Sequence, residues 1–131
     1  MQKNTKKMDS KLAILPISSI ATALNVHQRT LRIYDNEGIL TPQRTSKNRR
    51  NYSLDDLEKA KLILFLTRNL ALNLAGVKII LALLEQNKVK PADYMSYIET
   101  LAKKAGIDTK LQEDNIAKTS KRGRKAKNKE E

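Results

Sequence analysis

The chain has 131 residues, with 26 Lys or Arg against 14 Asp or Glu, which gives a formal net charge of +12 and a pI near 10.0. This length predicts one compact domain with tails and leaves no room for a separate effector domain of ordinary size. The absence of Cys excludes disulfides and thiol redox sensing, and a single His argues against a His-based metal site. The positive charge indicates a polyanionic partner.

The charge is concentrated at the two ends. Residues 1 to 11 contain four Lys and one Asp, and residues 118 to 131 contain seven Lys or Arg and two Glu, which leaves +4 for the rest of the chain. We expect a mobile basic arm over residues 1 to 11 and a basic, disordered tail over residues 107 to 131, both attracting nucleic acid without reading its sequence. No apolar run suits a signal peptide or a membrane span, so a cytoplasmic, nucleoid-associated protein without membrane contact is expected.

A helix, a tight turn and a second helix are predicted from residue 17 onward. Ala21 is small enough for a second helix to cross the first, and Asn25, four positions later, tolerates the positive φ that the turn requires. The second helix should begin near His27 and end at Gly38, a residue typical of helix C-termini. Its polar residues are types that reach phosphates or base edges from the major groove: Gln28, Arg29, Thr30, Arg32 and Asn36.

Residues 39 to 52 predict a β-hairpin, or wing, with an apolar pair, a Pro, a turn-rich tip and a return strand. The apolar stretch around Pro16 is predicted to pair with it as an edge strand. The wing has no acidic residue and carries four basic ones suited to the DNA backbone: Arg44, Lys47, Arg49 and Arg50. Adjacent strand residues point to opposite faces, so Arg49 and Arg50 should not contact DNA equally, and the sequence leaves open which one does.

Two further helices are predicted after the wing. Ser53 and Asp56 have the spacing of a capping box at the start of a helix that runs to about Asn69. Asn73 is suited to cap a fourth helix that runs to about Gln86. Both helices are rich in apolar residues, and we expect them to pack as an antiparallel pair behind the DNA-reading helices.

A fifth helix is predicted between Pro91 and Gly106. Its apolar residues recur at helical spacing: Tyr94, Tyr97, Ile98, Leu101 and Ala105. This stripe either forms a dimer interface or closes the domain within one chain. A second copy is the natural partner, because an inverted-repeat operator requires twofold protein symmetry.

Several of these segments resemble a known family. Residues 30 to 40 (TLRIYDNEGIL), 49 to 53 (RRNYS) and 55 to 57 (DDL) are similar in order and spacing to the DNA-binding domain of the MerR family of bacterial transcription regulators. Residues 26 to 32 (VHQRTLR) and 72 to 77 (LNLAGV) resemble the heat-shock repressor branch of that family, HspR. The resemblance covers about residues 14 to 86. Ile33 stands where the family often has an aromatic residue, and Asn25 where the turn usually has Gly.

The resemblance implies a mainly α fold. A winged helix-turn-helix domain with a small β-hairpin wing would span residues 12 to 88, with a helical pair behind it and a short C-terminal dimerisation helix in residues 89 to 106. The residues expected to contact DNA from the second helix are His27, Gln28, Arg29, Thr30, Arg32 and Tyr34. Those expected to do so from the wing are Arg44, Lys47, Arg49, Arg50 and Tyr52. For the two tyrosines, packing in the core is the alternative.

The function that the resemblance implies is repression of heat-shock and chaperone genes by a homodimer on an inverted-repeat operator. Release on thermal stress and a chaperone acting as corepressor belong to the same expectation. An accessory protein that binds DNA or RNA without sequence preference is the alternative. We expect neither an enzyme nor a bound cofactor or metal, because no nucleophile–base pair, metal cluster or Gly-rich phosphate loop is visible. The lone His27 is interpreted as a helix-start residue near phosphates, not as a pH or metal sensor.

Overall fold

A computed structural model of the protein describes residues 9 to 110. The predictions of a basic N-terminal arm and a basic C-terminal tail fall largely on residues 1 to 8 and 111 to 131, which lie outside the described residues. The chain divides into two units: residues up to 61 together with 90 to 94, and residues 62 to 89 together with those from 95 onward. Each unit is described by itself.

The first unit contains a three-stranded antiparallel sheet and the two helices that the sequence predicted. In chain order these are β1 (Leu15–Pro16), α1 (Ile17–Leu24), α2 (Gln28–Asn36), β2 (Gln43–Arg44) and β3 (Arg50–Tyr52). The strand order is β1-β3-β2. Leu15 pairs with Tyr52 across β1 and β3, and Arg44 pairs with Arg50 across β2 and β3. The predicted pairing of the edge strand with the wing is therefore confirmed.

The turn between α1 and α2 follows the prediction from residue type. Asn25 has a φ of 55°, and the Val26 N–H donates to the Ala21 carbonyl at 3.0 Å. Ala21 is buried, and α1 and α2 contact each other. Ile20 and Leu31 are almost fully buried and belong to the core of this unit.

The end of α2 directs the chain toward the wing. Gly38 has a φ of +73°, its N–H donates to the Asp35 carbonyl at 3.0 Å, and the Ile39 N–H donates to the Tyr34 carbonyl at 2.9 Å. This pair of bonds is a Schellman motif, which satisfies the last carbonyls of the helix. Ile39 and Leu40 are consequently buried directly after the helix ends.

The longest helix, α3 (Leu54–Arg68), begins in the first unit and continues into the second. Its start is the predicted capping box: the Ser53 N–H donates to Asp56 Oδ2, and the Asp56 N–H donates to Ser53 Oγ, both at 3.0 Å. The two orphan donors at this helix start are thus satisfied reciprocally.

The second unit consists of the rest of α3 with α4 (Leu74–Gln86) and most of α5 (Tyr94–Lys104), which follows a 3-10 turn at Pro91–Asp93. Asn73 caps α4 by accepting a hydrogen bond of 2.9 Å from the Gly76 N–H, as predicted. Nine buried apolar residues form its core: Leu62, Ile63, Phe65, Leu66, Val77, Leu81, Leu84, Ile98 and Ala102. Antiparallel packing of α3 on α4 stays a prediction. No helix within residues 9 to 110 is both long and apolar enough to cross a bilayer.

Candidate nucleic-acid interface

The second helix has one buried side and one exposed side. Leu31 and Tyr34 face the core, with 0% and 6% of their surfaces exposed. The exposed residues recur at helical spacing and form one face, here called the outer face of α2: Arg29, Arg32, Ile33 and Asn36. The predicted recognition helix therefore presents two arginines to solvent on the side away from the core.

The two arginines of this face differ in their surroundings. Arg32 Nη2 donates to Gln28 Oε1 at 3.1 Å, one helical turn earlier, which orients the guanidinium along the helix. The Arg29 side chain has no hydrogen-bond or ion-pair partner within residues 9 to 110 and is exposed. Thr30 is only half-exposed. His27 occupies the N-cap position of α2 and makes no capping bond with its side chain.

An open pocket of about 520 Å³ lies between α1 and the start of α2. Its walls carry hydroxyl, amide and imidazole groups as well as small apolar ones, and the lining residues are Ser18, Ala21, Thr22, Asn25, Val26, His27 and Gln28. Because the N-terminus of a helix carries a partial positive charge, an anionic oxygen such as that of a phosphate is favoured next to it. Contact of His27 and Gln28 with the backbone of a duplex stays a prediction.

The tip of the wing contains hydrogen bonds within its own turn. Thr45 Oγ1 accepts from the Lys47 N–H at 3.2 Å and from the Arg49 N–H at 3.1 Å. Asn48 has a φ of 62°, as a tight turn requires. The side chains of Lys47 and Arg49 are exposed and have no partner in the part of the chain that the structure describes.

Asp35, which the sequence analysis did not select, links the wing to the second helix. Its Oδ2 accepts a hydrogen bond of 2.8 Å from Arg50 Nε and lies 3.4 Å from Arg44 Nη2. Arg44 Nη1 also donates to the Asn48 carbonyl at 3.3 Å. Arg50 is therefore turned toward the helix, whereas Arg49 is turned toward solvent. A carboxylate in a segment predicted to bind DNA repels phosphate unless a cation pairs with it, so the sequence indicates that Asp35 has a basic partner without showing which one.

Both predicted tyrosines are core residues. Tyr52 is fully buried, and its hydroxyl has no hydrogen-bond partner among the described residues. Burial raises the pKa of Tyr52 to about 12. The prediction that Tyr52 contacts DNA is therefore corrected: Tyr52 pairs with Leu15 across β1 and β3, and its side chain is fully buried. Tyr34 is 6% exposed, which favours the packing role for this residue as well.

The apolar stripe on the fifth helix separates into two sides. Tyr94 and Ile98 are each 7% exposed, and Ala102 continues the same buried line. Tyr97 and Leu101 are 40% and 49% exposed, and Ala105 is exposed as well. Of the residues proposed for dimerisation, Tyr94 and Ile98 are thus covered within one chain, and Tyr97, Leu101 and Ala105 are open to a partner.

Within residues 9 to 110, no group of three or more His, Cys, Asp or Glu side chains lies close enough together to hold a metal ion. The first unit thus contains three parts. These are α2 with arginines on its outer face, a basic hairpin joined to α2 by an ion pair, and α1, which contacts both α2 and β3. These parts define a winged helix-turn-helix protein, a class that binds DNA.

The family of this protein follows from comparison with known sequences. Residues 15 to 84 match the model of the MerR HTH family of regulatory proteins. The chain belongs to the MerR family of DNA-binding transcription regulators, and it is a regulatory protein and not an enzyme. The resemblance of residues 30 to 57 to this family is thereby confirmed.

Several individual proteins are similar to this chain. A Streptomyces coelicolor protein that carries the name heat shock protein HspR is 33% identical over 85 residues, which are 65% of this chain and 56% of that relative. The chain therefore spans little more than half the length of that protein. The crystal structure of the transcriptional regulator SkgA from Caulobacter crescentus is similar with a TM-score of 0.55 and 26% identity, over 72% of this chain and 67% of that one. A MerR-family regulator from Bacillus cereus is also 26% identical, over 84% of this chain and 92% of that one, with a TM-score of 0.48.

Proposed function

We propose that this protein represses heat-shock and chaperone genes by binding an inverted-repeat operator as a homodimer. The observation that carries sequence-specific binding is the outer face of α2. Within residues 9 to 110, Arg29 and Arg32 have no carboxylate partner, and the one acidic side chain of the helix, Asp35, is paired with the wing. Guanidinium groups in this position are suited to the O6 and N7 atoms of guanine in the major groove.

The regulated genes are inferred from the relative in Streptomyces coelicolor, whose name describes a heat shock protein. Two features of the sequence agree with this inference: the segments at residues 26 to 32 and 72 to 77 resemble the heat-shock repressor branch. A chaperone that acts as corepressor is part of the same proposal.

The homodimer is inferred from the apolar side chains that the fifth helix leaves exposed. Tyr97 and Leu101 lie one helical turn apart and are 40% and 49% exposed. An exposed aromatic and an exposed leucine on one helix face favour association with another apolar surface. A second copy meets this requirement and supplies the second recognition helix for an inverted repeat.

An accessory protein that binds nucleic acid without sequence preference is the second candidate. The observation that favours it is the distribution of charge, because residues 1 to 11 and 118 to 131 supply most of the net charge of +12. Binding that depends on these ends is set by counterion release and is indifferent to base sequence.

The two candidates are separated by selecting duplexes that bind the full chain from a random pool and measuring affinities at one fixed salt concentration. A repressor should prefer a two-half-site duplex by about a thousandfold or more over random duplex. Arg32→Ala should weaken operator binding by about tenfold or more if the side chain reads a base, with a much smaller effect on random DNA. Lys103→Ala, which removes one exposed charge from α5, is the matched control and should affect both duplexes equally and weakly.

The regulatory part of the proposal is tested in the host. DNA bound to the protein is recovered genome-wide at the normal growth temperature and after a brief heat shock. Sharp peaks at inverted repeats upstream of chaperone genes, lost after heat shock, are the expected result. Broad occupancy without a shared sequence would instead favour the accessory protein.

A further inference from the structure

Ile33 is an exposed apolar residue on the outer face of α2, next to Arg29 and Arg32 and one helical turn before the exposed Glu37. Its side chain is 43% exposed. All other large apolar side chains between residues 15 and 78 are buried or half-buried. The neighbouring apolar residues of the same segment, Leu31, Ile39 and Leu40, are at most 2% exposed. The fold thus buries apolar side chains on both sides of Ile33 and leaves a large part of this one exposed to solvent.

The structure of residues 9 to 110 gives no packing reason for an isoleucine at this position. A β-branched side chain loses rotamer freedom in a helix and is a weaker helix former than Ala, Lys or Glu. An exposed position also gains little from burial of apolar surface. Ile33 therefore contributes little to the stability of α2, which suggests that it is covered when the protein binds its partner.

The surroundings of Ile33 identify that partner. Arg29 lies one helical turn before it and Arg32 directly precedes it, and both are on the outer face of α2. Cations on this face attract the same polyanion that would cover the isoleucine, whereas an apolar protein surface would have to desolvate two guanidinium groups. DNA therefore fits this surface better than an apolar protein partner does.

The chemistry of the side chain restricts what it can contact. Isoleucine neither donates nor accepts hydrogen bonds, so it cannot read the N7, O6, N6, O4 or N4 atoms of the base edges. The C5-methyl of thymine is the apolar group that the major groove presents, and it discriminates T·A from the other base pairs through apolar contact.

We propose that Ile33 is a specificity-determining residue that contacts a thymine methyl group in each half-site. The inference rests on the proposed function, since it requires α2 to lie in the major groove. One helical turn advances about 5.4 Å along the helix axis, and base pairs are about 3.4 Å apart. The thymine should therefore lie one or two base pairs from the position whose recognition is lost in Arg29→Ala.

The experiment uses the full chain and the operator obtained by the selection described above. Each thymine of one half-site and its symmetry mate are replaced in turn by deoxyuridine, which removes only the methyl group and keeps the base pair. Affinities are measured at one salt concentration for the wild type, for Ile33→Val and for Ile33→Ala. Ile79→Ala, at an isoleucine of α4 that is 62% exposed, is the matched control.

One thymine per half-site should be sensitive in the wild type, with a loss of about three- to fivefold per methyl contact. Ile33→Ala should bind the thymine and uracil duplexes equally well, Ile33→Val should fall between, and Ile79→Ala should behave as the wild type. The unfolding temperature of Ile33→Ala should stay within a few degrees of the wild type, since the side chain is exposed.

Two results would overturn the inference while leaving the proposed function intact. The first is a wild type that tolerates uracil at every position. The second is a sensitive thymine whose loss is the same in Ile33→Ala, because another side chain would then read that methyl group. Failure to select any preferred duplex would overturn the proposed function itself, and this inference with it.

Discussion

The Asp35 carboxylate in α2 accepts a hydrogen bond of 2.8 Å from Nε of Arg50 in the wing. Both side chains are largely shielded from water, with 16% and 19% of their surfaces exposed. Arg44, the cross-strand neighbour of Arg50, lies 3.4 Å from the same oxygen. The wing and the second helix are therefore linked by one carboxylate that lies between two guanidinium groups. We predict that this link sets the geometry of DNA binding although Asp35 need not contact DNA.

Asp35→Asn should lower the specificity of the protein more than its general affinity for DNA. The substitution removes a negative charge from the cationic surface, so binding to random duplex should stay constant or rise. Operator binding should fall, because the wing and the helix are no longer held at a fixed distance. The free energy of unfolding should drop by about 1–2 kcal/mol, as expected for a charge-assisted hydrogen bond that is partly buried.

The measurement is the ratio of operator to random-duplex affinity, with chemical denaturation as the stability readout. Glu58→Gln is the control, since it removes an equal charge from an exposed pair with Lys61 at 3.4 Å and should change neither quantity appreciably. Equal loss of affinity for both duplexes in Asp35→Asn would contradict the positioning role.

Arg49 and Arg50 are adjacent but should respond differently to substitution by Ala. Arg49 is exposed without a side-chain partner in the described part of the chain, so its removal should leave stability unchanged. The slope of the logarithm of affinity against the logarithm of salt concentration should become shallower by about one when Arg49 is removed. Arg50→Ala leaves Asp35 with only the more distant Arg44 and should destabilise the fold. Denaturation curves and salt titrations of both variants decide this, and a destabilised Arg49→Ala would show that the tip depends on that side chain.

The features that the sequence predicted correctly are those determined by local chemistry. Asn25 at positive φ, Gly38 at the end of α2, the capping box at Ser53 and the cap at Asn73 all depend on residues within four positions of one another. Residue type determines such conformations almost independently of the rest of the chain. For the same reason the positions of the helices were predicted closely.

The features that were missed depend on pairing across longer separations. Asp35 and Arg50 are 15 residues apart, and nothing in a one-dimensional pattern shows that a strand brings them together. Tyr52 belongs to a motif beside two arginines, which suggested a surface role, but its register against Leu15 places it in the core. Periodicity on the fifth helix likewise identified an apolar stripe without showing that Ile98 is covered within the chain and Leu101 is not.

The second residue after α2 and the second residue after α4 both have positive φ, so substitutions there test backbone strain. Adding a Cβ at one position should destabilise the fold, and removing the Cβ at the other should stabilise it. Gly38 has a φ of +73° with no atom within 4 Å of an added Cβ, so Gly38→Ala should destabilise the fold by about 1 kcal/mol through strain alone. Lys88 occupies the equivalent position after α4 with a φ of 58°, and its N–H donates to the Glu85 carbonyl. Lys88→Gly should therefore stabilise the fold by up to about 1 kcal/mol.

Chemical denaturation of both variants measures these effects. Lys88→Ala is the control for the loss of the lysine charge and should be close to neutral, because it keeps the Cβ and the strain. A destabilised Lys88→Gly would mean that the entropy lost by glycine on folding exceeds the strain that is relieved.

The hydroxyl of Tyr52 gives a prediction that depends on pH. It is fully buried without a hydrogen-bond partner among residues 9 to 110, so Tyr52→Phe should leave stability near pH 7 unchanged or raise it by about 1 kcal/mol. Burial raises the pKa of Tyr52 from 10.0 to about 12. The folded protein therefore holds this proton more tightly than the unfolded chain does, and unfolding becomes easier as the pH rises above 10.

The resulting loss of stability should develop between pH 10 and pH 12 and approach about 2–3 kcal/mol for two pKa units. Tyr52→Phe cannot lose a phenolic proton at this position, so its stability advantage over the wild type should widen across that interval. Tyr97→Phe, at a tyrosine that is 40% exposed, is the control for removal of a phenolic hydroxyl elsewhere in the chain. A constant difference between Tyr52→Phe and wild type from pH 7 to pH 12 would show that the hydroxyl is solvated in the folded protein. A marked loss of stability in Tyr52→Phe at pH 7 would show instead that the hydroxyl has a hydrogen-bond partner.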